Sequence, residues 1–187
     1  MRTLIAYGTR YGATAGTSRE IAKILTEQGF EVKVADLKEE KIKDVNSCEL
    51  IIVGTGVQFG RWISEVEEFL KEHEKELAKK KLALFVSTMK TVNEREGNQK
   101  NLETDRKFDL DNKLPKYSFH PISVGFFGGV INFNEMNFFL RKTMGSLKER
   151  LEKDGFKKSE PGVYELRNWD EIRNWTIELA EKARKPD

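Results

Sequence analysis

The sequence predicts a three-layer α/β fold, in which a doubly wound, five-stranded parallel sheet lies between two layers of helices. Apolar runs of strand length alternate with amphipathic helical patterns along the chain. A loop rich in glycine and hydroxyl residues joins the first strand directly to the first helix. Strands and helices that alternate in this way form a parallel sheet through right-handed crossovers.

Each strand is predicted from its apolar residues and each helix from one apolar face. Leu50–Gly54 is continuously apolar, as expected for a strand buried on both faces, whereas Glu31–Leu37 alternates apolar and charged residues like an edge strand. The other predicted strands are Thr3–Tyr7, Lys81–Ser87 and Ile122–Phe127. The predicted helices are Thr14–Gln28, a helix that begins at Ser64, Asn134–Lys153 and Trp169–Ala183.

The helix at Ser64 is predicted from two local patterns. Ser64-x-x-Glu67 has the spacing of a capping box, in which the serine side chain caps the helix. The residues that follow have helical spacing on one face, which is expected to be buried. This face comprises Val66, Phe69, Leu70, His73 and Leu77.

An insertion at about residues 90–120 separates the predicted fourth and fifth strands. It has mixed charge and few apolar residues, with a short helix expected over Asn101–Phe108. Connections of this length are uncommon and usually functional or mobile. The insertion is therefore either a lid or substrate groove, or a surface excursion without a direct role.

Composition excludes several classes of function. The chain has 33 basic and 31 acidic residues and a net charge of +2, which is too balanced to favour nucleic acid as a partner. The one cysteine, Cys48, excludes internal disulfides and CxxC chemistry. The two histidines, His73 and His120, are far apart, so no metal site is expected. With 187 residues, a single domain is the default.

A cytoplasmic protein is expected, with membrane contact that is at most peripheral. The N-terminus lacks the pattern of a signal peptide, and the longest apolar stretch, Ile122–Ile131, is too short to span a membrane. The segment from Phe133 to Met144 combines apolar residues with Arg141 and Lys142, as an interfacial helix does. Packing against the sheet explains the same pattern and is favoured.

The loop after the first strand has the features of a phosphate-binding site. Gly8 and Gly12 allow the backbone to bend closely around a ligand, while Thr9 and Thr14 supply hydroxyl donors. The helix start presents free N–H groups and a positive dipole end, which favour an anion. The loop lacks the spacings of triphosphate and dinucleotide motifs. It indicates a mononucleotide phosphate; the alternative is a tight turn without a ligand.

Three further loops follow the carboxyl ends of strands, where open parallel sheets bind ligands. Their glycines allow a flat ring to approach the backbone, and Phe59 or Trp62 could stack on it. A planar, phosphorylated, redox-active ligand fits this set, and FMN is the obvious candidate. The aromatic residues could instead be core residues, and Arg61 and Lys90 could be surface charges. The loops are Thr55–Trp62, Ser87–Thr91 and Gly125–Gly129.

Motifs along nearly the whole chain resemble those of flavodoxin-like proteins. Gly8–Thr14 is similar to the flavodoxin phosphate loop. More narrowly, the chain resembles the menaquinone-dependent protoporphyrinogen oxidase branch of these proteins. The motifs of that type are Thr9-Arg10 with Arg19–Ala22, Gly56–Trp62 followed by Val66-x-x-Phe69-Leu70, Ser87–Met89 followed by the insertion with Arg106–Phe108, Gly128–Phe133, and Asn168–Asp170.

The resemblance implies a flavodoxin-like strand order of 2-1-3-4-5 and a bound FMN. It implies that the FMN phosphate is held by Thr9, Arg10, Tyr11, Gly12, Ala13 and Thr14. It also implies that the isoalloxazine ring is framed by Val57, Gln58, Phe59, Gly60, Ser87, Thr88, Met89, Lys90, Gly125, Phe126, Phe127, Gly128 and Gly129. A cation near the ring, Arg61 or Lys90, would favour the anionic reduced flavin.

Two functions are left open. The first is an FMN-dependent oxidoreductase of the protoporphyrinogen oxidase type, which passes electrons from a porphyrinogen or another reduced substrate to a quinone. The second is an electron carrier without a small-molecule substrate, which docks on a redox partner protein. The balanced charge favours the enzyme, since such carriers are usually acidic. No catalytic triad or carboxylate pair stands out, so the chemistry is expected to belong to the cofactor. A homodimer is also left open.

Overall fold

A parallel sheet forms the centre of the fold. The computed structural model describes residues 1–58 and 60–186, and of Gln58 only the backbone. The strands are β1 (Arg2–Gly8), β2 (Glu31–Asp36), β3 (Leu50–Gln58), β4 (Arg61–Trp62), β5 (Lys81–Thr88), β6 (Ser123–Gly128), β7 (Val130–Asn132), β8 (Lys158–Glu160) and β9 (Val163–Glu165). The α-helices are α1 (Ala13–Glu27), α2 (Ser64–Glu72), α3 (Glu74–Leu77), α4 (Lys90–Arg95), α5 (Gln99–Arg106), α6 (Phe138–Thr143), α7 (Gly145–Lys153) and α8 (Trp169–Arg184).

The order of the parallel strands is β2-β1-β3-β5-β6, with the short β4 antiparallel to β3. These parallel strands are the predicted first to fifth, so the predicted order is confirmed. Alternate residues of β3 point to opposite faces, as the pleat of a strand requires. Ile51 and Val53 pack in one core with α2, and Leu50 and Ile52 pack in another with α1 and α8. Helices therefore cover both faces of the sheet, in the predicted three layers.

A second, antiparallel sheet of order β7-β9-β8 was not expected from the sequence. Its strands have three residues each, which is too short for periodicity to identify them. The only local signal is Pro161-Gly162 between β8 and β9, where Gly162 has a φ of 81° that suits a tight turn. Ile131 and Tyr164 of this sheet form a third apolar core with α7.

The predicted helix over Asn134–Lys153 is wrong in its extent. The chain instead forms a 3₁₀ turn at Phe133–Glu135, followed by α6 and α7 as separate helices. The Asn137 side chain accepts a hydrogen bond from the Leu140 amide at 2.8 Å, so it caps α6 and ends any helix before it. Asparagine side chains compete in this way with the hydrogen bonds of a continuous helix. The spacing of apolar residues does not reveal such an interruption.

The predicted capping box at Ser64 is not formed, because Ile63 is the residue that precedes α2. The Ile63 amide donates to the Thr55 hydroxyl at 3.1 Å, which ties the helix start to β3. The Ser64 hydroxyl donates instead to the carboxylate of Glu65, at 2.8 Å. The predicted buried face is confirmed, although the helix is divided at His73; its members are Val66, Phe69, Leu70, His73 and Leu77.

The insertion is folded and attached to the rest of the protein. It contains α4, α5, a π-helical segment at Lys107–Asp111 and a 3₁₀ turn at Leu114–Lys116. The short helix expected over residues 101–108 corresponds to α5 and its π-helical continuation. Leu110 and Phe119 are buried in the core that contains α2. The Trp62 indole N–H donates to the Asp109 carbonyl at 2.7 Å, so β4 holds the π-helical segment in place.

We expect Trp62→Phe to lower the free energy of unfolding by about 2 kcal/mol, because the Asp109 carbonyl loses its donor and the core loses ring volume. Trp62 is 4% exposed. The matched control is Trp169→Phe, at a position that is 40% exposed. Urea unfolding followed by circular dichroism measures both variants. Equal stability of the two variants would contradict this account of how the insertion is attached.

Candidate functional site

The N-terminus of α1 has the geometry of an anion-binding site. Gly12 precedes the helix with a φ of 79°, a left-handed conformation that favours glycine. Apart from its chain neighbours, no described residue has an atom within 4 Å of the position that a Cβ of Gly12 would take. Gly12 itself has no side chain that could cap the helix, so it gives the first amide groups no side-chain partner. Backbone N–H groups at such a helix start, together with the helix dipole, stabilise a phosphate.

A small cavity of about 90 Å³ lies at this helix start. The hydroxyls of Thr14 and Ser87 line it, and both are buried without a hydrogen-bond partner in the described part of the chain. Buried hydroxyls are normally paired, so two such groups in one cavity fit a polar ligand. A Cβ on Gly56 would stand 3.5 Å from the Thr14 hydroxyl, so glycine keeps this cavity wide.

Most of the predicted site residues meet at this cavity. It is lined by Thr9, Arg10, Tyr11, Ala13, Thr14, Val57, Ser87, Thr88, Met89 and Gly129. These residues lie at the carboxyl ends of β1, β3, β5 and β6, either in the last strand positions or just after them, and in the first turn of α1. The sheet therefore brings together the loops that the sequence analysis selected, and Gly12 adds the helix start.

A larger cavity of about 370 Å³ adjoins the first, and both are lined by Tyr11, Val57, Thr88, Met89 and Val130. One wall is apolar and comes from the segment around α6, with Met136, Leu140 and Met144. The insertion supplies another wall, with Asp105, Phe108 and Asp109. The phosphate-sized cavity thus opens into a pocket of the size that accepts small organic ligands.

The insertion covers the loop after β3. Gly60 has a φ of 69°, and a Cβ at this position would overlap the Phe108 ring, so the ring lies directly against the glycine. Gly60 also lines the larger cavity. Two other predicted ring-binding residues fall outside what the structure describes, namely Phe59 and the side chain of Gln58.

The structure places four predicted ring-binding residues at a different cavity, of about 280 Å³, between the insertion and α8; they are Lys90, Gly125, Phe126 and Phe127. The Lys90 ammonium lies 2.5 Å from Glu171 and 3.1 Å from Glu94, so its charge is compensated there. The aromatic rings of Phe126 and Phe127 belong to the two cores of the sheet. Their role at a flavin ring stays a prediction that this geometry does not support.

Gly128 and Arg61 also lie away from the larger cavity. A Cβ on Gly128 would overlap the Leu166 carbonyl, so this glycine permits close packing of β6 against the chain after β9. Arg61 is exposed on β4 and lines a wide groove together with Arg10 and Lys38. This groove runs beside the phosphate loop, and Glu65 and Glu67 also line it, so they partly offset the three cations.

Two carboxyl groups in the larger cavity were not singled out from the sequence. Burial and the neighbouring Asp105 raise the pKa of Asp109 to about 6, and Lys113 lowers it in part. Burial also raises the pKa of Asp105, although the hydrogen bond that the Asn93 side-chain amide donates to it, at 2.5 Å, lowers this pKa in part. In the sequence these two residues form only an acidic pair at i, i+4 within a charged segment. Such a pair looks the same as a solvated helix face until the fold is known.

Comparison with known proteins identifies the family. Residues 4–158 match the Flavodoxin domain family, and the chain belongs to it. Protoporphyrinogen IX dehydrogenase [quinone] from Escherichia coli (strain K12) is 22% identical over 187 residues, which cover all of this chain and 98% of that protein. The family and the phosphate cradle together indicate FMN as the cofactor.

Solved flavodoxin structures share the fold. Oxidised flavodoxin 2 from Bacillus cereus has a TM-score of 0.57 and 18% identity, over 97% of this chain and 99% of that one. A flavodoxin from the domain Archaea has a TM-score of 0.51 and 15% identity, over 99% of this chain and 100% of that one.

We expect the charge of Asp109 to destabilise the folded protein near neutral pH. Its folded-state pKa is raised from 3.8 to about 6, so the fold favours the protonated form. The stability of the wild type relative to Asp109→Asn is therefore highest below the unfolded pKa and falls as the pH rises through about 6. If Asp109 were fully buried, this pKa shift would change the free energy of unfolding by about 3 kcal/mol. Because Asp109 is only half-buried, solvent screening reduces the expected change to about 1 kcal/mol.

Urea unfolding at about pH 4 and about pH 8 measures this difference. Asp109→Asn is expected to be the more stable protein only at the higher pH. Asp111→Asn is the control, because Asp111 is exposed and lies 3.5 Å from Arg106. A constant difference between wild type and Asp109→Asn at both pH values would show that the raised pKa is wrong.

Proposed function

We propose that this chain is an FMN-dependent oxidoreductase that takes two electrons from a small reduced substrate and passes them to a quinone. One observation carries the proposal: the phosphate cavity opens into a pocket of about 370 Å³ that has walls from the insertion and from the segment around α6. The name of the E. coli relative, Protoporphyrinogen IX dehydrogenase [quinone], supports a reaction of this type.

In this proposal, the start of α1 holds the FMN phosphate. The amides of Gly12, Ala13 and Thr14 donate to it, and the hydroxyls of Thr14 and Ser87 gain a partner that they lack among the described residues. Residues of the neighbouring loops frame the ring, namely Val57, Gly60, Thr88, Met89 and Gly129. The bound flavin supplies the redox chemistry, while the protein orients it and restricts access.

An electron carrier needs an accessible ring edge and a docking surface, because electrons cross to the partner without a bound substrate. A pocket of about 370 Å³ with walls from the insertion and α6 is unnecessary for that role. The charge of the chain is also balanced, with 33 basic and 31 acidic residues. These two observations favour the oxidoreductase over the carrier.

We expect Thr14→Val to weaken FMN binding about tenfold, because the variant loses one hydrogen bond to the charged phosphate. Thr17→Val is the matched control. Thr17 is also buried with an unpartnered hydroxyl on α1, but it does not line the cavity. Fluorescence titration of FMN into each flavin-free protein measures the dissociation constants. An equal loss of affinity in both variants, or none in either, would count against this phosphate site.

We also propose that α6 contacts a membrane surface from which a lipophilic quinone reaches the pocket. Phe138 and Phe139 are 83% and 76% exposed, while Leu140 of the same helix lines the pocket. Arg141 and Lys142 in the last turn add positive charge that suits anionic lipid. Among the described residues, none of the helices combines the length and hydropathy of a membrane span.

Flotation with phosphatidylglycerol vesicles tests this contact. The wild-type protein is expected to float with these vesicles and less well with phosphatidylcholine vesicles, because α6 carries Arg141 and Lys142. The double variant Phe138→Ser, Phe139→Ser is expected to stay at the bottom of the gradient with both. Wild-type protein that fails to float with either lipid would rule out the membrane contact.

A further inference from the structure

One face of the insertion brings two carboxyl groups to the larger cavity. Asp105, Phe108 and Asp109 all line it. The i, i+3 and i+4 spacing places these residues on one side of the chain where α5 continues into the π-helical segment Lys107–Asp111. π-helical segments are rare, and they occur frequently at functional sites.

Packing holds this face towards the cavity. Leu110, the residue after Asp109, is fully buried in the core that contains α2. The carbonyl of Asp109 accepts the Trp62 indole hydrogen bond at 2.7 Å. Since both the side chain of Leu110 and the backbone of Asp109 are fixed, the carboxyl group of Asp109 has little freedom to turn away.

The charged and titratable groups around Asp109 come from three places. Asp105 on α5 is the nearby negative charge, and the Asn93 amide donates to it at 2.5 Å. Lys113, after the π-helical segment, is the positive charge, and its ammonium lies 5.8 Å from the centre of the Trp62 ring. The phenol of Tyr11 lines the same cavity from the phosphate loop.

The rest of the cavity suits a flat, uncharged ligand. Met136, Leu140 and Met144 form its apolar wall, and methionine side chains adapt well to aromatic rings. Of the residues described, neither lysine nor arginine lines this cavity, so a ligand with anionic groups would find no counter-charge there. A neutral quinone meets these conditions, and its carbonyl oxygen can accept a hydrogen bond from a carboxylic acid.

We propose that the part of this cavity between Asp109 and the apolar wall of α6, beside the flavin ring, is the subsite for the quinone, and that the carboxyl group of Asp109 delivers a proton to it. This inference rests on the proposed function. A quinone becomes a hydroquinone by gaining two electrons and two protons. A bound FMN in its reduced state would provide both electrons and one proton as a hydride equivalent. The Asp109 carboxylic acid donates the second proton to the quinone oxygen. The resulting Asp109 carboxylate then regains a proton from water.

The raised pKa of Asp109, about 6, supports this role because a group that transfers protons near neutral pH works best with a pKa close to that range. Asp105 acts as a positioning residue, because its negative charge helps to keep the proton on Asp109. Asp105→Asn removes that charge and should lower the pKa of Asp109.

The test is anaerobic rapid mixing of the FMN-loaded, reduced protein with menadione, a soluble naphthoquinone, across a pH series. In the wild type, the oxidation rate should fall as the pH rises through about 6. In Asp109→Asn, the rate at low pH should be about 100-fold lower and nearly independent of pH. Asp105→Asn should move the fall to lower pH, and Asp111→Asn, outside the cavity, should match the wild type.

A redox titration of the bound FMN gives a second readout that does not depend on turnover. At about pH 8 the Asp109 carboxylate disfavours electron uptake nearby, so Asp109→Asn should have the higher reduction potential. At about pH 5 the two proteins should coincide, since Asp109 is then protonated.

An Asp109→Asn protein that keeps the wild-type rate profile would overturn the proton-transfer role, and unchanged potentials at both pH values would place Asp109 away from the flavin. Wild-type protein that binds no FMN would instead overturn the proposed function itself, and this inference with it.

Discussion

The amide groups at the start of α1 set the main constraint on this protein. Gly12, in a left-handed conformation, precedes the helix and provides it with no side-chain cap. The adjoining hydroxyls of Thr14 and Ser87 are buried without partners in the described residues. Donors in this state are costly unless an anion or water satisfies them. We propose that the cofactor phosphate satisfies these donors, and its position then determines where the flavin ring lies in the adjoining pocket.

The insertion adds a wall to the pocket beside this helix start. It is held by Trp62 through the Asp109 carbonyl, by the buried Leu110, and by the contact of Phe108 with Gly60. On the side of α8, the buried Lys90 joins α4 to α8 through its ion pair with Glu171, and Glu94 on α4 is its second partner. A buried lysine that loses its partners is strongly destabilising, so these ion pairs account for the position of Lys90 in structural terms.

The sheet and the phosphate loop could be predicted because they depend on local features: continuous apolar runs, glycines and hydroxyls at a strand end. The short strands β7 to β9 could not, since three residues carry no periodicity. Asn137 interrupts a helix whose apolar pattern continues past it. The placement of Lys90 depends on Glu171, eighty-one positions away, and the pairing of Asp105 with Asp109 at a cavity depends on the whole insertion being packed.

The central claim is that the phosphate end of the cofactor is held by the start of α1. Comparing the affinities of the flavin-free protein for FMN and for riboflavin tests it most directly, because the two ligands share the ring and differ in the phosphate. Charge-assisted hydrogen bonds to the phosphate predict that FMN binds at least about 100-fold more tightly. Equal affinities, or tighter binding of riboflavin, would contradict the account.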